Sequence, residues 1–102
     1  MNAPLSIVEF QNACAKLVDR PGLAPEWTYR ITKVIDSMAA LEDKVFLKTL
    51  KGQETLLECI RKAIFLKEHS YSNDLSYLLL TDLEMTCEEL LVQCCQFRIK
   101  AG

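Results

Sequence analysis

Residues 73–100 read NDLSYLLLTDLEMTCEELLVQCCQFRIK. The stretch contains no Gly or Pro and opens on Asn73-Asp74, a pair suited to capping a helix N-terminus. Ser76, Leu80, Leu83, Cys87, Leu90, Cys94 and Phe97 follow one another at alternating spacings of four and three. That is the seam of one long amphipathic helix. Some 25 residues at about 1.5 Å each make a rod of roughly 38 Å, longer than a small domain is wide. A second apolar set, Leu78, Met85, Val92 and Ile99, lies on the side away from the seam, with Cys95 close by. One neighbouring layer cannot cover both sides of a rod. The outer stripe is therefore either core under shorter helices wrapped around the rod, or a surface for a second chain. The expected partner-binding residues are Leu78, Met85, Val92, Cys95 and Ile99.

Working back from this rod, the rest of the chain reads as helices too. Ser6-Ile7-Val8-Glu9 has the form of a capping box, with Leu5 and Phe10 at the flanking staple positions. Ile7, Phe10, Cys14, Leu17 and Val18 then share one face, and Asp19-Arg20-Pro21-Gly22 stops the helix. Pro25 suits the first turn of a second helix, since its missing N–H needs no partner there. Trp27, Ile31, Val34, Met38, Leu41 and Val45 keep the four-three spacing, with Ile35 beside them. Beyond Val45 the apolar set rotates to Phe46, Leu47 and Leu50. Either one helix runs over 25–51, or it breaks near Ala39–Asp43. The acidic pair Glu42-Asp43 suits a fresh helix start and favours the break. Gly52 reads as a helix C′ residue. Residues 53–68 resume with Leu56, Leu57, Ile60, Ala63, Ile64 and Leu66 inward and with Lys62 and Lys67 in water. His69–Asn73 is a short polar link between antiparallel neighbours.

No segment alternates like a strand, no hairpin dipeptide occurs, and no repeat is visible. The expectation is all-α: four or five helices in a small bundle or orthogonal array, with a long C-terminal helix. The 102 residues suit a single helical domain, 1–102, with 1–5 as a flexible N-terminal arm. Half the residues are apolar and a quarter are charged, which supports a packed core and argues against disorder.

The net charge of −2 is unevenly spread. Residues 44–67 hold Lys44, Lys48, Lys51, Arg61, Lys62 and Lys67 against Glu54 and Glu58, a net of +4. Residues 68–92 hold Glu68, Asp74, Asp82, Glu84, Glu88 and Glu89 and no base, a net of −6. A basic helix beside an acidic one explains this pattern, each exposed pair adding only about 0–1 kcal/mol. The alternative is a DNA-binding transcriptional regulator using the basic 44–67 region as a helix-turn-helix about Gly52. Glu54 and Glu58 would then stand where a recognition helix meets phosphates, and their sign is wrong. A membrane-surface role wants a basic amphipath, and the longest one here is acidic. No apolar run reaches the roughly 20 residues needed to cross a bilayer.

Five cysteines, Cys14, Cys59, Cys87, Cys94 and Cys95, make an odd number. Met1-Asn2-Ala3-Pro4 lacks the features of a signal peptide. The reading is a cytoplasmic chain with free thiols, of which Cys14, Cys59, Cys87 and Cys94 serve as core residues. Cys95 lies off the seam and is the thiol expected to be accessible. No paired ligands at zinc spacing occur, the single His69 stands in a link, and no phosphate-binding glycine loop is present. The expectation is accordingly no enzyme, no cofactor and no metal. What remains is a protein–protein interaction module, of adaptor, chaperone or inhibitor type. It would bury an apolar helix stripe against another chain or in a homodimer.

Overall fold

The computed structural model describes residues 4–19, 24–41, 44–69 and 73–101, and within the last span the side chains of 76–99. Four helices form: α1 (Ile7–Val18), α2 (Pro25–Ala39), α3 (Leu50–Glu68) and α4 (Asn73–Ala101), with a 3-10 turn at Val45–Lys48 between α2 and α3. No strand occurs among the described residues. At 29 residues α4 is about 44 Å long, and the whole molecule measures 45 × 30 × 19 Å. The last helix thus runs the full length of the protein.

The helices close a ring in which α1 packs on α2 and α3, and α4 packs on α3 and α2. Each contributes one stripe to a common core. Ile7, Phe10, Cys14 and Leu17 come from α1, and Trp27, Ile31, Val34 and Met38 from α2. Leu56, Cys59, Ala63 and Leu66 come from α3. From α4 come Ser76, Leu80, Leu83, Cys87, Leu90 and Cys94. Phe97 packs partly buried at the end of that seam, its ring centroid 5.3 Å from that of Phe46.

The capping-box residues Ser6 and Glu9 sit at the start of α1, where the Glu9 carboxylate accepts from the Ser6 N–H at 3.4 Å. Pro25 is the first residue of α2, and the break before the 3-10 turn falls where the acidic pair suggested it. Glu42-Asp43 themselves, the Arg20–Gly22 stop, the capping side chains of Asn73-Asp74 and residues 1–3 of the expected arm lie outside the described residues. Leu5, at the end of that arm, is tied down. Its N–H donates to the Gln53 side-chain oxygen at 2.8 Å, and its carbonyl accepts from the Gln53 amide at 3.1 Å. The same Gln53 nitrogen also donates to the Leu47 carbonyl. One amide therefore joins the approach to α1, the 3-10 turn and the first turn of α3.

Gly52 does not end a helix. It lies inside the first turn of α3, whose N-cap is Thr49. The Thr49 hydroxyl accepts from the Gly52 N–H at 3.1 Å and donates to the Phe46 carbonyl at 2.6 Å. The 3-10 turn folds back so closely that a Cβ on residue 52 would stand 2.0 Å from the Phe46 oxygen. Tertiary proximity, not chain termination, requires glycine here. The 3-10 turn also resets the helical phase, so Val45 and Leu50, expected inward, are exposed. In α3 the inward set is Gly52, Thr55, Leu56, Cys59, Ala63 and Leu66, which leaves Ile64 exposed rather than buried. Lys62, expected in water, is partly covered and reaches across to α4.

Gly52→Ala tests the close approach. In an ordinary helix this change stabilises by about 0.5–1 kcal/mol. Here overpacking against the Phe46 carbonyl reverses the sign, and a loss of about 1–3 kcal/mol is expected in urea unfolding.

Candidate protein interaction face

Two polar clamps mark the edges of the covered half of α4. On the α2 side, Arg30 forms a forked pair with Glu84. Its Nε donates at 3.1 Å to one carboxylate oxygen, and its Nη2 bonds the other. That Nη2 also lies 3.4 Å from the Thr81 hydroxyl. The hydrogen bond to Glu84 holds the Arg30 guanidinium above its ordinary value. Trp27 and Tyr77 add a tilted ring contact, centroids 5.4 Å apart. On the α3 side, the Lys62 ammonium donates to Asp82 at 3.0 Å and to the Thr86 hydroxyl at 2.8 Å. Everything inward of these clamps is core.

Outward of them the helix carries the second stripe in the open. Leu78 is 70 % exposed, Met85 64 %, Val92 48 % and Ile99 74 %, and Cys95 is exposed at the edge of the row. All five expected partner-binding residues are thus exposed on the outward side of α4. The row is not built from leftovers of an incomplete seam, because the opposite side of the same helix is fully occupied by core residues. Asp82, Glu88 and Glu89 flank it, all exposed. Among the described residues, Asp82 alone of the three forms an ion pair. Glu89 accepts a long bond, 3.3 Å, from Gln93.

Other surface features are more mixed. Ile60 and Ile64 line a groove between α1 and α3 together with Glu9, Lys16, Lys67 and Glu68, so no single ligand chemistry is selected. The basic residues of 44–67 are interleaved with acids. Arg61 pairs with Glu58 at 3.7 Å, Lys62 with Asp82, and Lys51 shares a groove with Glu54, Glu58 and Glu89. The turn at Gly52 on which a helix-turn-helix reading depended is helical. The half-exposed Phe65, missed as a surface residue, stacks on His69 with ring centroids 3.9 Å apart. Its carbonyl lies 3.0 Å from the His69 Nδ1. The imidazole is therefore engaged with Phe65. No helix among the described residues is long and apolar enough to cross a membrane.

All five cysteines are free. Cys14, Cys59 and Cys87 come from three helices into one buried cluster. Burial, and secondarily Cys59, push the Cys14 thiol up to about 12. The hydrogen bond with Cys59, then burial, raise Cys87 as well. Burial also raises Cys94, against a lowering influence from Lys44. Among the described residues no group of three or more His, Cys, Asp or Glu side chains is placed to hold a metal ion. No protein-family model, no curated protein and no solved structure matches the chain.

These environments predict a graded thiol response. A disulfide reagent added to the native protein should modify Cys95 at once and the other four only as the helices open. A native protein titrating as three or more rapid thiols contradicts the buried cluster. The raised thiols also fix a sign for alkaline stability. Below the ordinary thiol value of 9.0 both folded and unfolded states are protonated, and stability does not change on their account. From about 9 towards about 12 the unfolded chain loses thiol protons that the folded state keeps, so stability falls by roughly 1.4 kcal/mol per pH unit for each protected thiol. Unfolding midpoints measured across this window should fall less steeply in Cys14→Ala than in the parent chain.

Proposed function

We propose that this protein is a non-enzymatic interaction module, which acts by laying the outward face of α4 against a helix of another chain. The observation that carries the reading is the exposed row Leu78, Met85, Val92 and Ile99 on a helix whose other side is already complete core. The four recur two turns apart along one side of the helix with polar groups beside them, a repeated set of exposed apolar anchors, whereas single exposed apolar residues are ordinary. Helix-in-groove and helix-on-helix recognition use this arrangement of anchors on one side of a helix. Met85 lends the middle of the row a flexible, polarizable side chain that adapts to different contours.

The magnitude sets the character of the interaction. Full cover is worth at most about 1.5–3 kcal/mol for each of the four side chains, or roughly 6–12 together. Association itself costs on the order of 4–15 kcal/mol. The row alone therefore supports modest, reversible binding, and affinity for one partner over another must come from what lies beside it.

Val92→Asp tests the proposal. The residue is surface-facing, so unfolding stability should change by no more than about 0.5 kcal/mol. Whatever association the parent chain shows, with itself by light scattering over a concentration series or with an apolar-faced helical peptide by titration, should be lost. If the parent chain stays monomeric at high concentration and binds no such peptide, the proposal fails.

A further inference from the structure

We infer that the natural occupant of the α4 outer face is a basic amphipathic helix of a different protein, and not a second copy of this chain; the inference rests on that face being the interaction site. The row is bordered by carboxylates on both edges. Asp82 and Glu89 stand towards α3 and Glu88 towards α2, and all three are exposed. From 73 to 97 the helix carries no Lys or Arg. Lys62 is the one described cation paired to this border, and it already bridges Asp82 and Thr86. Arg30, a cation on the other side, is held by Glu84 inward of the row. The rim of the face is thus acidic and largely unneutralised.

A second copy meets this rim badly. The midpoint between Leu78 and Ile99 falls between Glu88 and Glu89. An antiparallel pair covering all four apolar positions sets Glu88 and Glu89 against their own images. A parallel in-register pair sets the α3 edge of one copy against the α2 edge of the other, and so Glu89 of each beside Glu88 of the other. Both arrangements press the Glu88 and Glu89 carboxylates of the two copies together at the centre of the pair, where the helix carries no base, which selects against self-association. A helix with Leu or Ile along one line and Lys or Arg on either side of it meets apolar row with apolar row and acid with base. The same acidic rim repels an anionic bilayer or a nucleic acid.

The experiment uses the full chain and two synthetic helical peptides that share one apolar row and differ only beside it, one with Lys at the flanking positions and the other with Glu. The expected result is binding of the Lys peptide roughly tenfold or more tighter than the Glu peptide near 0.05 M salt, the margin shrinking by about 0.5 M as the rim is screened. Val92→Asp should abolish both. Glu88→Lys with Glu89→Lys should reverse the preference. Equal, salt-insensitive binding of the two peptides overturns the inference while leaving the interaction face in place. So does a homodimer that persists across the salt range and dissolves in Val92→Asp. A chain that binds neither peptide and does not self-associate overturns both the partner chemistry and the face.

Discussion

Leu80, Leu83 and Leu90 have no exposed surface at all, and Cys87 and Cys94 have almost none. They lie along one line of a helix as long as the molecule. No shorter helix covers such a line alone. α3 and α2 therefore take up positions along its two edges, and α1 closes the ring from across the core. The energetic weight of the line is clear from what removing any one of its leucines costs a core, about 2–5 kcal/mol against a total stability of about 5–15. The edges are then finished with polar contacts: Arg30 with Glu84 on one, Lys62 with Asp82 and Thr86 on the other. These give register rather than large stability, because each is partly solvated.

The seam of α4, the face of α1 and the inward positions Trp27, Ile31, Val34 and Met38 of α2 could be read from the amino acids because helical periodicity is a local property. So could the split between inward and outward rows on α4, and with it the exposure of Leu78, Met85, Val92, Cys95 and Ile99. Gly52 could not. Its residue type signals freedom from a side chain, and the sequence offers no means of telling a chain reversal from a close backbone neighbour. The neighbour is the Phe46 carbonyl, brought there by a 3-10 turn whose formation shifts the phase for Val45 and Leu50 as well. The acidic rim was visible as a charge excess, but the Arg30–Glu84 and Lys62–Asp82 partnerships join residues 54 and 20 positions apart. Only the assembled ring shows which carboxylates are already matched and which face outward.

The buried thiols share the logic of the apolar seam. Cys14, Cys59 and Cys87 meet where α1, α3 and α4 converge, and small polarizable side chains fill such a junction without forcing the helices apart. The surroundings of Cys14 and Cys87 disfavour the thiolate, the form needed for nucleophilic or ligand chemistry. Cys95 is on the same helix as Cys87 and Cys94 but beyond the waterline drawn by the clamps, and it retains ordinary access to solvent.

The outer row has one more geometric property. Leu78, Met85, Val92 and Ile99 recur every seven residues, whereas a straight helix needs 3.6 residues per turn, so the row slips about 20° with each heptad. Across its length the line winds by roughly 60° around the rod. A straight companion laid parallel to the axis would touch one end and drift off the other. To stay on the line it must cross at a shallow angle of about 20° and coil to the left, as strands of a rope with seven-residue lay do. The spacing of four side chains thus prescribes the handedness of any helical complex built on them.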